Sequence, residues 1–151
     1  MSIPVVGAGM ASILAGLSLG ERIAVVTVLK ETIPSIEHFV KILGLISSVV
    51  SVRAASIGVL EIEKDKEKTL SALLRESLAA IEEDRAEVIA LGCTGMASID
   101  KKLMKELRKK GYEIPVIDPA RAAIRWAEML VNIGLSSSKM ISNCHPLKRE
   151  Q

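Results

Sequence analysis

Aromatic side chains are nearly absent from this chain: they make up 2% of its residues, and Phe39, Tyr112 and Trp126 are the complete set. A protein that holds nucleic acid by stacking bases needs a platform of such rings, so that class of function is excluded. Cysteine is as sparse. Cys93 and Cys144 stand alone, with no Cys-x-x-Cys pair and only two histidines, His38 and His145, which argues against both a zinc site and a disulfide scaffold and for a reducing, cytoplasmic setting. Amide side chains are limited to Asn132, Asn143 and Gln151 while Lys and Glu abound, a balance found in heat-adapted proteins. Excess charge is missing too, since 20 basic against 18 acidic residues leave a net charge of +2. The one dense basic run, Lys101 to Lys110, is interrupted by Glu106 and Leu107 and reads as the solvated face of a helix in preference to a phosphate-binding patch.

What is present is apolar. Hydrophobic residues account for 49% of 151 residues, enough for one domain that buries roughly two thirds of its unfolded surface. The longest uncharged stretch, Ile3 to Gly20, raises the question of a membrane span. Pro4, the glycines at 7, 9, 16 and 20 and the lack of a basic flank favour a buried strand and helix over an anchor or a signal peptide. No internal repeat, low-complexity tract or linker is visible.

Short Val/Ile-rich runs alternate with longer amphipathic segments, the pattern of βαβ units and a mostly parallel sheet flanked by helices. Strands are predicted at Ile3–Val6, Ile23–Leu29, Val49–Val59, Val88–Leu91 and Val116–Ile117. Helices are predicted at Met10–Leu19, Ser35–Leu43, Lys66–Ile81, Ile99–Lys110 and Pro119–Ile133. Leu70, Leu73, Leu74, Leu78 and Ile81 recur at helical spacing. Asp118 before Pro119 supplies an N-cap and a first-turn proline, and Gly111 and Gly134 supply helix stops. The chain is expected to fray after Lys139.

Chemistry concentrates in Ala86-Glu-Val-Ile-Ala-Leu-Gly-Cys-Thr-Gly-Met96, an apolar strand that ends in a turn of small residues and leads into a helix. Ligands of open parallel sheets bind outside the carboxyl ends of the strands, where Cys93 falls. Gly92 and Gly95 would let the backbone turn tightly and approach a ligand, and Thr94 adds a hydroxyl. Free N–H groups of the turn and the next helix would hold a carboxylate and favour the thiolate, the form in which cysteine moves protons. The opposing reading is packing, the commonest fate of a strand-end cysteine. His38, without clustered partners, reads as a surface residue; Cys144 with His145 lies too near the terminus to hold a catalytic geometry. Asp118 has a sufficient role as an N-cap, although its strand-end loop could also face the cleft. Trp126 suits the core or a subunit contact, and Met96 and Met104 suit gap-filling.

Leu91-Gly-Cys-Thr-Gly-Met96, preceded by Glu83-Asp84 and followed by Pro115-Val-Ile-Asp-Pro119, Ala122, Ala123 and Gly134-Leu-Ser-Ser-Ser-Lys139, resembles the C-terminal part of the aspartate/glutamate/hydantoin racemase superfamily. The Gly-Cys-Thr-Gly-Met form is similar to its hydantoin and allantoin branch. The opening Ile3-Pro-Val-Val-Gly7 fits as well. The resemblance implies a cofactor-independent racemase for hydantoins or related amino-acid derivatives, using two cysteines on opposite faces of the substrate. Inversion beside a carbonyl needs proton removal on one face and delivery on the other, which explains the pair. Cys93 matches the second thiol, and Gly92, Thr94 and Gly95 would shape the substrate pocket. The first thiol has no counterpart here, since in the family it lies upstream of the segment matching Ile3–Gly7; Met10 replaces an acidic residue found in many relatives.

The resemblance further implies two similar α/β halves with the site between them. Residues 1–151 then form one α/β unit in which 21–114 match the second half, while 1–20 and 115–139 match remnants of the first. The apolar surface left open predicts a homo-oligomer or a partner carrying the first half. Two other readings compete: a non-catalytic binding or assembly subunit, and a redox-sensitive thiol at Cys93.

Overall fold

The computed structural model describes residues 3–96 and 98–138; Cys144 and His145 lie outside the described residues. In chain order the elements are α1 (Ala8–Leu17), β1 (Ile23–Thr27), α2 (Ile33–Ile42), β2 (Val49–Ala54), α3 (Glu61–Lys64), α4 (Lys66–Glu82), β3 (Val88–Leu91), α5 (Asp100–Lys109), β4 (Val116–Ile117) and α6 (Pro119–Asn132). The four strands form one sheet in the order β2-β1-β3-β4, and every neighbouring pair is parallel. This is the α/β architecture that the alternating runs predict.

Right-handed crossovers decide which face each helix covers. The chain steps from β1 outward to β2 through α2, then returns past β1 to β3 through α4 and continues to β4 through α5, so the direction of travel reverses and the helices divide. Packing agrees: α2 lies on β2, and α1 lies on β1, β3 and β4 with α6 against it, while α4 covers β1 and β2 and α5 covers β4. Side-chain alternation along the strands follows. Ala24, Val26, Val28, Ile89 and Leu91 join one core with Leu73, Leu103 and Leu107. Ile23, Val25, Val88 and Ala90 join a second with Ile13 and Val40. Leu73, Leu103 and Leu107 are fully buried, and each leucine removed from water is worth about 2–3 kcal/mol.

Two strand predictions need correction. Ile3–Val6 is not a strand: it is irregular, with Ile3 72% and Val5 87% exposed. A short apolar run becomes a strand only where a neighbour accepts its backbone hydrogen bonds, and among the described residues no strand pairs with it. The run Val49–Val59 is cut at Ala54, because Ser56 takes a left-handed conformation (φ +56°) and turns the chain toward α3. Ile57 is nevertheless buried, whereas Val59 and Leu60 are exposed. Elsewhere the boundaries agree within a few residues. Gly111 and Gly134 take the left-handed conformation expected of helix stops. Among the described residues no helix is long and apolar enough to cross a membrane; the uncharged opening forms only the ten-residue α1.

Outside the apolar layers one ion-pair cluster ties β2 to the end of α4. Arg53 donates from Nε to Asp84 Oδ2 (2.6 Å) and from Nη2 to Asp84 Oδ1 (3.0 Å) and Glu83 Oε2 (2.6 Å). The Arg53 hydrogen bond, working against partial burial, holds the Asp84 carboxyl below its ordinary range. A carboxyl more acidic in the folded than in the unfolded chain contributes stability that is complete above the unfolded value and is lost as pH falls through the folded one. Acid unfolding should therefore remove about 1–2 kcal/mol from this cluster below pH ~4. Urea titrations at stepped pH should show that loss in the native chain and a smaller one in Asp84→Asn.

Candidate functional site

Strand order, more than any single motif, places the site. β1 leaves its carboxyl end toward one face of the sheet and the adjacent β3 leaves toward the other, so a crevice opens where the two part. Thr27 ends β1 and Gly92-Cys93 follow β3 at that crevice. The Gly92 N–H donates to Val26 O at 2.9 Å, which clamps the turn to the sheet. Period-two alternation sends position 92 toward α1 and α2, and position 93 toward the α4/α5 side. Cys93 is half-buried and packs against the larger core.

Gly92 is dictated by space. A Cβ there would stand 2.9 Å from Thr27 Cβ and 3.3 Å from Thr27 Cα, closer than real side chains allow. The anticipated tight turn is not the reason, because neither Gly92 nor Gly95 takes a positive φ. Gly95 is under less pressure: a Cβ would meet Cys93 Sγ and Ile62 Cδ1 at 3.5 Å, ordinary contact. Thr94 is exposed and opens a 3-10 turn, Thr94–Met96, in which the Met96 N–H donates to Cys93 O at 3.2 Å. Met96 itself is fully buried, in keeping with its gap-filling assignment.

Beside Gly92 a cavity of about 210 Å³ opens between α1 and α2, bounded by Gly9, Ser12, Thr32, Ser35, Phe39 and Gly92 among others. The Gly-Cys-Thr-Gly segment does not point to these other residues, because they come from two helices and a turn remote from it in sequence. A second hollow of about 180 Å³ lies on the other side of the turn, against Gly95, Ile62, Lys66 and Lys102. Cys93 lines neither cavity; Gly92 borders the first and Gly95 the second.

The family model for Asp/Glu/Hydantoin racemase matches residues 1–127. The chain belongs to that family. Among racemase relatives, the hydantoin racemase of Pseudomonas sp. (strain NS671) is 38% identical over 147 residues, 97% of this chain and 57% of that protein. That of Rhizobium meliloti is 35% identical over 143 residues, 95% of this chain and 57% of that protein. Of solved structures, the allantoin racemase from Pseudomonas fluorescens superposes with a TM-score of 0.89 at 38% identity, covering all of this chain and 62% of that one. The allantoin racemase from Klebsiella pneumoniae gives 0.87 at 30% identity, covering 98% and 58%. The chain thus spans about 57% of the length of the hydantoin racemases it matches.

In this racemase-family chain the loop after the cysteine is held by the carboxylate of Asp118, which also caps α6. Asp118 Oδ1 accepts from the N–H groups of Ala120 (2.9 Å) and Arg121 (3.1 Å), as an N-cap should. Its Oδ2 also accepts from the Ser98 N–H at 3.0 Å, and Ser98 takes a left-handed conformation (φ +68°). Arg121 pairs with the buried Asp100 at 2.7 Å. The cap of α6 therefore anchors the segment between Cys93 and α5. Asp118→Ala removes the cap and leaves the Ser98 N–H without its acceptor, a loss of about 2 kcal/mol that chemical denaturation would register. Asp118→Asn keeps one accepting oxygen and turns the other into an NH2 donor, so it should restore the cap bonds to Ala120 and Arg121 but not the bond from Ser98, recovering about half of the loss. His38 is exposed on α2, as a surface histidine would be.

Proposed function

We propose that this chain provides one proton-transfer thiol, Cys93, and one wall of the pocket of a cofactor-independent racemase acting on 5-substituted hydantoins or related amino-acid derivatives. The observation that carries the reading is a half-buried cysteine at the carboxyl end of β3, in the crevice where the strand order reverses, directly after Gly92, which borders an open cavity. The activities of the relatives, hydantoin and allantoin racemases, agree with it.

The chemistry asked of this site is modest in parts. A thiolate at Cys93 takes the proton from the carbon beside the carbonyl, and the electron pair moves onto the carbonyl oxygen as an enolate. Donors aimed at that oxygen lower the barrier. The N–H of Gly92 is committed to Val26 and that of Met96 to Cys93, so we assign the donor role to the turn at residues 93–95 and to the Thr94 hydroxyl. Return of a proton to the opposite face needs a second acid, which we place on another segment or subunit.

We propose that this second element covers the apolar surface formed by Ile3, Ile124 and Val131, which border a groove of about 620 Å³. All three are exposed, and contiguous apolar surface of this kind marks contact with another chain. In this reading residues 21–114 match the second half of the longer relatives, and 1–20 with 115–139 the remainder of the first. A second copy, or a chain carrying the half that the relatives have in addition, would fill it. Light scattering should then give a mass above the monomer's, and Ile124→Glu with Val131→Glu should return it to the monomer.

The reading as a whole is tested by incubating one enantiomer of a 5-substituted hydantoin with the protein in deuterated water. Deuterium at the α-carbon, followed by NMR, is the expected result. Incorporation no faster than in buffer alone, with this protein and with its assembly, would falsify it.

A further inference from the structure

We infer that the cavity between α1 and α2 receives the apolar substituent of the substrate, and that Gly9 and Phe39 set the largest substituent it admits. The inference rests on the racemase reading of Cys93. Consecutive Cα atoms lie about 3.8 Å apart, so a molecule seated over the Gly92–Cys93 peptide with its reacting carbon at the thiol can extend a side group into the space beside Gly92. That space is apolar where it matters. Ile13, Val25, Ile36 and Phe39 form its walls. Of the three hydroxyls that border it, Ser12, Thr32 and Ser35, two are turned to the protein: Ser12 Oγ donates to Gly9 O at 3.0 Å, and Thr32 Oγ1 donates to Leu29 O at 2.7 Å. A polar ring would gain little there, whereas a hydrocarbon group would be desolvated. An apolar cavity of about 150 Å³ suffices to hold benzene, so the roughly 210 Å³ present here accommodates a branched alkyl or a phenyl group.

The limit is set between Gly9 and Phe39, which face each other across the cavity. Phe39 Cε1 lies 3.7 Å from where a Cβ on Gly9 would stand, so one added methyl meets the ring in ordinary contact and narrows the opening. Gly9 is helical, in the first turn of α1, and alanine is the better helix former by roughly 1 kcal/mol. Gly9→Ala therefore narrows the cavity without harming the fold. Phe39→Leu widens it while keeping an apolar side chain on α2.

Dissociation constants of 5-methyl-, 5-isobutyl- and 5-benzylhydantoin, measured by ligand-observed NMR on the full chain, read the pocket without turnover. A change of this size in a hydrophobic pocket is worth about tenfold or more in discrimination. Gly9→Ala should weaken the benzyl compound relative to the methyl one by at least about tenfold, and Phe39→Leu should shift the ratio the opposite way. An unchanged ratio in both variants, or no binding of any of the three, overturns the inference. Deuterium exchange separates this from the racemase reading: exchange with an unchanged ratio removes the pocket alone, and a shifted ratio without exchange removes the chemistry alone.

Discussion

Cys93→Ala should reduce α-deuterium incorporation into a 5-substituted hydantoin by at least about 100-fold, because a positioned acid/base group typically supplies 10² to 10⁴ in rate. The loss should be chemical and not structural. Cys93 is only half-buried at the rim of the larger core, and trimming its sulfur should cost about 1 kcal/mol or less. A melting temperature within a few degrees of the parent, together with lost exchange, is the expected pair of results. Cys93→Ser separates acidity from shape, since the hydroxyl occupies the same place but ionises far less readily; exchange should stay low. Equal exchange in parent and alanine variant would remove Cys93 from the mechanism.

The second large effect is structural. Gly92→Val should destabilise the chain by about 3 kcal/mol or more, at the upper end of what overpacking costs. The first atom of the new side chain would already stand 2.9 Å from Thr27 Cβ, 3.1 Å from Val25 Cγ1 and 3.3 Å from Thr27 Cα. Thr27 is a buried residue of β1, and its backbone cannot withdraw without breaking the ladder between β1 and β2. Gly95→Ala is the control two residues away. Its Cβ finds contacts of 3.5 Å, so stability should change by less than about 1 kcal/mol. Urea midpoints of the two variants, measured side by side, check the contrast; equal midpoints would mean that β1 yields to the new side chain.

These variants also show how far the residues speak for themselves. The Gly-Cys-Thr-Gly run announced a strand end, and β3 stops at Leu91 as the apolar run does. The reason for the first glycine was not legible, however, because it is a strand from another part of the chain pressing on it and not a positive φ. Asp118 was legible as a cap through Pro119, its neighbour. Its bond to Ser98 was not, since the two are 20 residues apart and nothing in either segment signals the other. Likewise Ser12, Thr32 and Phe39 became cavity residues only when α1 and α2 met beside Gly92.

Sequence alone determined the alternation of strands and helices, the helix stops, the apolar positions of α4 and the place of Cys93 at a strand end. Each of these rests on side-chain periodicity or on residues adjacent in the chain, where backbone propensity and capping act over a few residues. Tertiary structure alone decided that Ile3–Val6 joins no strand among the described residues, that β1 and β3 part to form the crevice, and that Gly92 must be bare. Those outcomes depend on which strand lies beside which, and strand order is set by packing between segments far apart in the chain.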